Sequence, residues 1–165
     1  MSVLDHAIWW HVYPLGFVGA PIRPDSEVPE AAPAPPTPGD LTAWLDYAVG
    51  LGANGLQLGP IFTSTSHGYD TTDHLSIDPR LGGDVMFDAL VAGCRARGVL
   101  LMLDGVFNHV GAAHPLVQRA LAEGPDGELA GLFRLLWDDA GGRSAGWEGH
   151  HDLVEINHAD PRALD

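Results

Sequence analysis

Three strand-like apolar segments alternate with three segments of helical periodicity along the chain, and this alternation constrains the fold more than any other feature. The strand-like segments are Ala7 to Tyr13, Gly55 to Phe62 and Val99 to Phe107. They are rich in β-branched, aromatic and other large apolar residues, which is typical of strands. Strands that alternate with helices form a parallel sheet with right-handed crossovers. The sequence therefore predicts an α/β fold.

Three helices are predicted between and after these strands. The first begins at an N-cap residue, Asp40, and the second at Asp84. Gly98 ends the second helix, and Pro115 opens the third, which runs to about Ala122. Apolar residues at helical spacing are expected to form the buried face of the first helix: Leu41, Trp44, Leu45, Ala48 and Val49.

The loops that follow the predicted strands are long, and they span residues 14–40, 60–84 and 104–115. The first loop contains a proline-rich stretch at 20–40, with seven of the thirteen prolines, so we expect it to be stiff and polyproline-like. The third strand opens with five apolar residues, VLLML, which predicts a strand buried on both faces. Sites in parallel α/β folds lie at the carboxyl ends of strands. We therefore expect functional residues in these three loops, on one face of the sheet.

Composition narrows the range of partners. The chain has 165 residues, 22 of them acidic and 8 basic, and a net charge of −14. Phosphate groups repel such a surface, so neither nucleic acid nor an anionic membrane is expected as a partner. The single cysteine, Cys94, excludes an internal disulfide and is expected on a buried helix face. The amino terminus lacks the basic segment of a signal peptide, which predicts a cytoplasmic location.

The second loop combines an aromatic residue with several hydrogen-bonding side chains. Within twelve residues it carries His67, Tyr69, Asp70, Asp73, His74 and Asp78. An aromatic ring can stack on the apolar face of a sugar while imidazoles and carboxylates bind its hydroxyl groups. The same oxygen atoms would suit calcium, and aspartates that cap turns in a polar surface loop would give the same pattern. The loop alone leaves these three interpretations open.

The third loop places Asp104, Asn108 and His109 directly after an apolar strand. A carboxylate at the end of such a strand needs a partner or a cation. One interpretation is a strand-end aspartate that caps the local backbone, with the other two residues in a turn. A second is that Asp104 and His109 form the acid/base pair of an α/β enzyme.

Taken in order, these segments resemble the amino-terminal part of the alpha-amylase family, glycoside hydrolase family 13. The stretches that carry the resemblance are GDLTAWLDYAVGLGANGLQLGPIF, HGYDTTDHLSIDPRLGG, DGVFNH, HPLVQ, and LVEIN with ADP shortly after it. They occur in family order and with family-like spacing over residues 7–165. The resemblance implies that residues 1–165 form the amino-terminal part of a (β/α)8 TIM barrel, with roughly the first three of its βα units.

The resemblance also assigns roles in substrate binding. Tyr69 would stack on the sugar in the subsite where cleavage occurs. His67 and His109 would bind hydroxyl groups of that same sugar. Asp104 would support the site from the end of the third strand.

Calcium is the one cofactor that the resemblance suggests, and none is required. Asn108 matches a position that binds calcium in the calcium-dependent members. Glu155 stands where the family's LPDLN motif has an aspartate, which weakens the expectation of calcium.

The catalytic carboxylates of the family have no counterpart in this sequence. Retaining glycosidases need a nucleophile and an acid/base about 5–5.5 Å apart, and the family supplies them from later strands, the nucleophile in a motif like GxRxD. The resemblance therefore implies part of a retaining α-glucoside hydrolase or transglycosylase that binds an α-glucan or maltooligosaccharide but is inactive alone. It would associate with the complementary part of the barrel or with itself. The alternative is a non-catalytic carbohydrate-binding or regulatory chain derived from that fold.

Overall fold

The computed structural model describes residues 6–22 and 41–164. Most of the proline-rich stretch predicted at 20–40, and the predicted N-cap Asp40, lie outside these residues. The chain divides into two compact units. The first is drawn from Met1–Gly68 and His74–Gly105, and the second from Tyr69–Asp73 and Val106–Asp165.

The described elements are strands, helices and short 3₁₀ turns. The strands are β1 (Trp9–Val12), β2 (Gly55–Leu58), β3 (Phe62–Ser64), β4 (Thr71–Ile77), β5 (Leu100–Leu103), β6 (His109–Gly111), β7 (Leu135–Asp138), β8 (Gly141–Ser144) and β9 (Leu153–Glu155). The helices are α1 (Pro14–Phe17), α2 (Leu45–Gly50), α3 (Gly83–Arg97) and α4 (Pro115–Glu123), with 3₁₀ turns at Thr42–Trp44, Pro79–Leu81 and Pro161–Leu164. None of the helices in the described part of the chain has the length and apolar character needed to cross a bilayer.

The first unit is built on a three-stranded parallel sheet in the order β1-β2-β5. Val12 lies beside Leu58, and Leu58 beside Leu103, so the three carboxyl ends finish at the same level. The parallel sheet predicted from the alternation of strands and helices is therefore confirmed. The loops after these strands leave from one edge of the sheet, where sites of parallel α/β folds lie.

The prediction that the third strand is buried on both faces is wrong. Met102 and Leu103 of β5 are 36% and 38% exposed. Within the described residues β5 pairs with β2 alone, so it forms an edge of the sheet. An apolar edge strand of this kind is a surface that favours association.

Three of the five residues predicted on the buried face of the first helix are buried. Leu41, Leu45 and Ala48 are buried, whereas Trp44 and Val49 are exposed. The helix opens with a 3₁₀ turn at Thr42–Trp44, and the ring of Trp44 contacts the rings of Phe17 and Tyr47. In α3, Cys94 is buried as predicted, and Leu90 is buried as well. This helix ends at Gly98, whose φ of 65° suits glycine.

The segment 60–84, predicted to be a polar loop, contains a two-stranded sheet of β3 and β4. Thr71 and Ile77, the end residues of β4, are buried. The Thr63 hydroxyl donates to the Ser76 carbonyl at 3.2 Å. Buried β-branched residues at both ends favour an extended chain over a loop, a signal that the polar residues between them concealed.

The second unit has its own apolar core and two antiparallel strand pairs. β6 pairs with β9, and β7 pairs with β8. Helix α4 begins at Pro115 as predicted, and the LVEIN segment contains β9. The core is formed by Val110, Val117, Ala120, Leu129, Leu132, Phe133 and Val154.

Candidate functional site

The carboxyl ends of the parallel strands position two of the predicted site residues in the first unit. Tyr13 follows β1, and its phenolic hydroxyl donates to the carbonyl of His67 at 2.8 Å. Asp104 follows β5, and its backbone N–H donates to the Leu58 carbonyl at 2.9 Å, which continues the ladder of the sheet. Tyr13 was not among the predicted site residues, although its place at the end of the first strand-like segment is the signal that indicates it.

Arg80 holds the loop that leads to His67. Its guanidinium donates to the carbonyl of Ser66 at 2.6 Å, to the hydroxyl of Ser64 at 2.7 Å, and to the carbonyl of Pro21 at 2.8 Å. It also forms an ion pair of 2.7 Å with Asp78, which is only 1% exposed. Charge-assisted hydrogen bonds of this kind are stronger than neutral ones, so Arg80 fixes this loop to the rest of the first unit.

The environment of Asp78 favours its ionised form. Burial alone would raise the pKa of this carboxyl group, but the hydrogen bonds from the side chain and backbone of Arg80 and the backbone of Ser64 outweigh it. The pKa therefore lies below its ordinary value. Asp78, predicted as one of several polar residues in the second loop, is accordingly a buried structural carboxylate.

The second unit contains Tyr69 and His109. Tyr69 is 40% exposed, and the next residue, Asp70, is buried. A Cβ added to Gly111 would lie 2.5 Å from the Asp70 carbonyl oxygen, closer than real Cβ contacts. The absence of a side chain at Gly111 therefore allows the segment with Tyr69 to lie against β6, the strand that begins at His109.

His109 is 8% exposed and pairs with Glu155 of β9 in the register of the strands. Its imidazole stacks on the indole of Trp147, with ring centroids 5.9 Å apart and planes inclined by 26°. Trp147 was not among the predicted residues. It lies three positions after the end of β8, and no spacing in the sequence connects it with His109.

Asn108, the predicted calcium ligand, lies directly before β6. Its backbone carbonyl accepts a hydrogen bond from the Ile156 N–H at 2.9 Å, and its Nδ2 is a buried donor without a partner among the described residues. Glu155 lies 3.9 Å from Arg134 in an ion pair. Over residues 6–22 and 41–164 no group of three or more histidine, cysteine or acidic residues could hold a metal ion. Calcium takes six to eight oxygen ligands. Calcium at Asn108 stays a prediction.

The predicted substrate-binding residues are thus divided by unit: His67 and Asp104 belong to the first, and Tyr69 and His109 to the second. In each unit the backbone beside these residues is held by specific contacts. An exposed aromatic ring can stack on a sugar, and imidazoles and carboxylates can bind its hydroxyl groups.

Comparison with known proteins identifies relatives of this chain. The protein-family model of the alpha-amylase catalytic domain matches residues 25–133 of this sequence. An intracellular maltogenic amylase of Bacillus subtilis strain 168 is 34% identical over 93% of the chain. A cyclomaltodextrinase of Geobacillus thermopakistaniensis is 39% identical over 78% of the chain.

Solved structures give the same result. The cyclic alpha-maltosyl-(1→6)-maltose hydrolase of Arthrobacter globiformis superposes with a TM-score of 0.79 over 97% of the chain, at 31% identity. A debranching enzyme of Nostoc punctiforme gives a TM-score of 0.76 at 27% identity. The chain spans 28% of the length of the B. subtilis relative and 40% of that of the Arthrobacter structure. The chain therefore belongs to the alpha-amylase family and corresponds to part of its catalytic domain.

Proposed function

We propose that this chain carries the sugar-binding part of a retaining hydrolase or transglycosylase that acts on starch, maltodextrin or related α-glucans. Family membership supports this proposal. The observation that carries it is the close approach at Gly111, where the Asp70 backbone lies against β6. This approach places the neighbouring residue, Tyr69, beside the strand that begins at His109. An aromatic ring and an imidazole held in this way suit a pyranose, which has apolar faces and a rim of hydroxyl groups.

Each residue has a distinct role in the proposal. Tyr69 stacks on the sugar where the bond is cleaved, and its 40% exposure leaves ring surface for that contact. His67 and His109 bind hydroxyl groups of the same sugar, and Asp104 supports the site from the end of β5. In the complete enzyme, these contacts would hold the sugar while its ring distorts towards the transition state.

We propose that the chain alone does not cleave glycosidic bonds. Retention of configuration requires a nucleophilic carboxylate and an acid/base carboxylate about 5–5.5 Å apart. The family motifs that supply them are absent from the sequence. The complete enzyme would form a covalent glycosyl-enzyme and hydrolyse it in a second displacement.

Binding of maltotriose to the purified chain tests the proposed role of Tyr69. Isothermal titration calorimetry should show binding that Tyr69→Leu weakens about tenfold, the upper end of what an aromatic contact contributes. Tyr47→Leu is the matched control, because Tyr47 is also exposed but lies on α2 in contact with Trp44. Equal affinity of wild type and Tyr69→Leu would contradict the stacking role.

A reducing-sugar assay on maltodextrin tests the proposed lack of activity. We expect no turnover by the purified chain. Robust turnover that disappears in His109→Ala would contradict the proposal, and would favour an acid/base pair of Asp104 and His109 instead.

We further propose that the chain represents roughly the first three βα units of an eight-unit barrel, completed by a complementary part or by self-association. The partly exposed apolar residues of the edge strand β5 support this proposal. Light scattering should show association, and an apolar dye should bind the isolated chain. A monodisperse monomer that binds no such dye would contradict it.

The second candidate is a non-catalytic carbohydrate-binding or regulatory chain. The presence of the sugar-binding residues beside the absence of the catalytic motifs favours it. The coding sequence after residue 165 separates the two. A downstream GxRxD segment in the same frame supports the enzyme, and a stop codon supports the binding chain.

For location, we propose the cytoplasm, supported by the B. subtilis relative, which is an intracellular enzyme. Cell fractionation should recover the protein with cytosolic markers, and recovery from the culture medium would contradict this location.

A further inference from the structure

Trp147 is an aromatic residue in contact with His109, and the proposed function leaves it without a role. The two rings are stacked with a displacement, with centroids 5.9 Å apart and an angle of 26° between their planes. Both belong to the second unit, and His109 is buried while Trp147 is half-buried.

The turn that carries Trp147 is tightly defined. The Trp147 N–H donates to the His150 carbonyl at 3.0 Å, and the His150 N–H donates to the Trp147 carbonyl at 2.8 Å. The two residues between them, Glu148 and Gly149, have φ of 48° and 89°. Positive φ at both central positions identifies a type I′ hairpin turn. Glu148 is the one described residue other than glycine with a positive φ, so the chain accepts strain at this turn.

Hydrogen bonds also connect this turn with the strand of His109. The Gly146 N–H donates to the Ser144 hydroxyl at 2.9 Å, and that hydroxyl donates to the Leu153 carbonyl at 3.2 Å. Leu153 belongs to β9, which pairs with β6 over His109–Gly111. The positions of the indole and the imidazole are therefore fixed by one continuous framework of backbone and side-chain contacts.

The stack restricts how the imidazole of His109 can turn. A histidine that binds a sugar hydroxyl must present a ring nitrogen in a defined direction, because hydrogen bonds weaken steeply away from linearity. The indole lies nearly parallel to the imidazole, at an angle of 26°, and so restricts rotation of the imidazole about the bond that joins it to Cβ. We propose that Trp147 is a positioning residue, which acts through His109 to orient its imidazole towards the sugar. This inference rests on the proposed function, because it assumes that His109 binds sugar.

The test combines NMR spectroscopy with maltotriose binding on the full chain. In the wild type, we expect nuclear Overhauser effects between the indole protons of Trp147 and the imidazole protons of His109. Trp147→Leu should shift the His109 imidazole resonances, because the ring current is lost, and weaken maltotriose binding three- to tenfold, which corresponds to the worth of an aromatic pair. Trp147→Phe should restore most of the affinity, since it keeps a stacked ring.

Trp137→Leu is the matched control. Trp137 is a half-buried tryptophan of the same unit, on β7, and it packs over Gly142. We expect it to change neither the His109 resonances nor the affinity. If circular dichroism shows that Trp147→Leu does not fold, Trp147→Met takes its place, as it keeps an apolar contact without a ring.

The outcomes separate this inference from the proposed function. If maltotriose does not bind the wild type, the proposed function fails, and the inference with it, even where the stack is observed. If maltotriose binds wild type and Trp147→Leu equally well, the proposed function stands and the positioning role is overturned. A wild-type spectrum without contacts between the two rings overturns it as well.

Discussion

The guanidinium of Arg80 meets the carboxylate of Asp78 through two parallel hydrogen bonds, from Nε to Oδ1 at 2.9 Å and from Nη2 to Oδ2 at 2.7 Å. Asp78 is almost fully buried, so its charge depends on this partner. The remaining donors of Arg80 hold the backbone of Ser64 and Ser66. The ion pair thus links the interior of the first unit to the loop that leads to His67.

Removal of Arg80 should therefore destabilise the protein strongly. Arg80→Ala would leave the Asp78 carboxylate buried without its partner, and breaking a buried pair in this way costs about 3–5 kcal/mol. Arg97→Ala is the matched control, because Arg97 pairs with Asp46 on the surface, where ion pairs contribute little. Urea unfolding followed by circular dichroism measures both. Equal midpoints for the two variants would contradict the structural role of Arg80.

The stability of the protein should depend on pH through Asp78. Its pKa is lower in the folded state than the ordinary value of 3.8, so the unfolded chain binds more protons near that pH. The stabilisation is then complete above the unfolded pKa and is lost as pH falls through the folded pKa. In urea unfolding between pH 5 and pH 3, we expect the unfolding midpoint of Asp78→Asn to fall less steeply than that of the wild type. Parallel slopes would show that another group carries the dependence.

The sequence predicted the parallel sheet, the end of α3 and the start of α4 because these depend on local patterns. The predicted cap at Asp84 is wrong, since α3 begins at Gly83 and Asp84 lies in its first turn. Apolar strands, the stop at Gly98 and the start at Pro115 follow from composition and backbone geometry within a few residues. The exposure of Leu103 could not be predicted in the same way. An apolar strand looks the same whether a neighbour pairs with one edge or with both, since strand pairing depends on residues distant in the sequence.

Gly111 should not tolerate a side chain. Gly111→Ala places a methyl group 2.5 Å from the Asp70 carbonyl oxygen, and the backbone must move to accept it, at a cost of about 1–3 kcal/mol. Gly50→Ala serves as control, because nothing lies within 4 Å of a Cβ added there. Thermal unfolding should separate the two variants, and maltotriose should bind Gly111→Ala more weakly because the segment with Tyr69 shifts. A Gly111→Ala protein as stable as Gly50→Ala would disprove the close approach.

Relief of strain at the turn after Trp147 should stabilise the protein. Glu148 has a φ of 48°, which costs an ordinary residue about 1–2 kcal/mol. Asparagine adopts this conformation readily and is preferred before glycine in type I′ turns. Glu148→Asn should therefore raise the free energy of unfolding by about 1 kcal/mol, whereas Glu148→Gln, which lacks that preference, should not. No gain for asparagine over glutamine would count against the turn assignment.

The resemblance proposes the residue types of the candidate site but not the contacts that support them. His67, Tyr69, Asp104 and His109 follow from a resemblance that short motifs carry. Trp147 lies 38 positions after His109 in the sequence, and its contact depends on the hairpin turn and on the pairing of two short strands. Side chains that hold a site through such long-range packing leave no periodic signal.

The most direct test of the proposed sugar site is an amide NMR titration of the full chain with maltotriose. We expect the largest chemical-shift changes within residues 67–70 and 104–111, and their loss in His109→Gln at equal sugar concentration. Shifts confined to other segments, such as α3, or a spectrum that maltotriose leaves unchanged, would contradict the account.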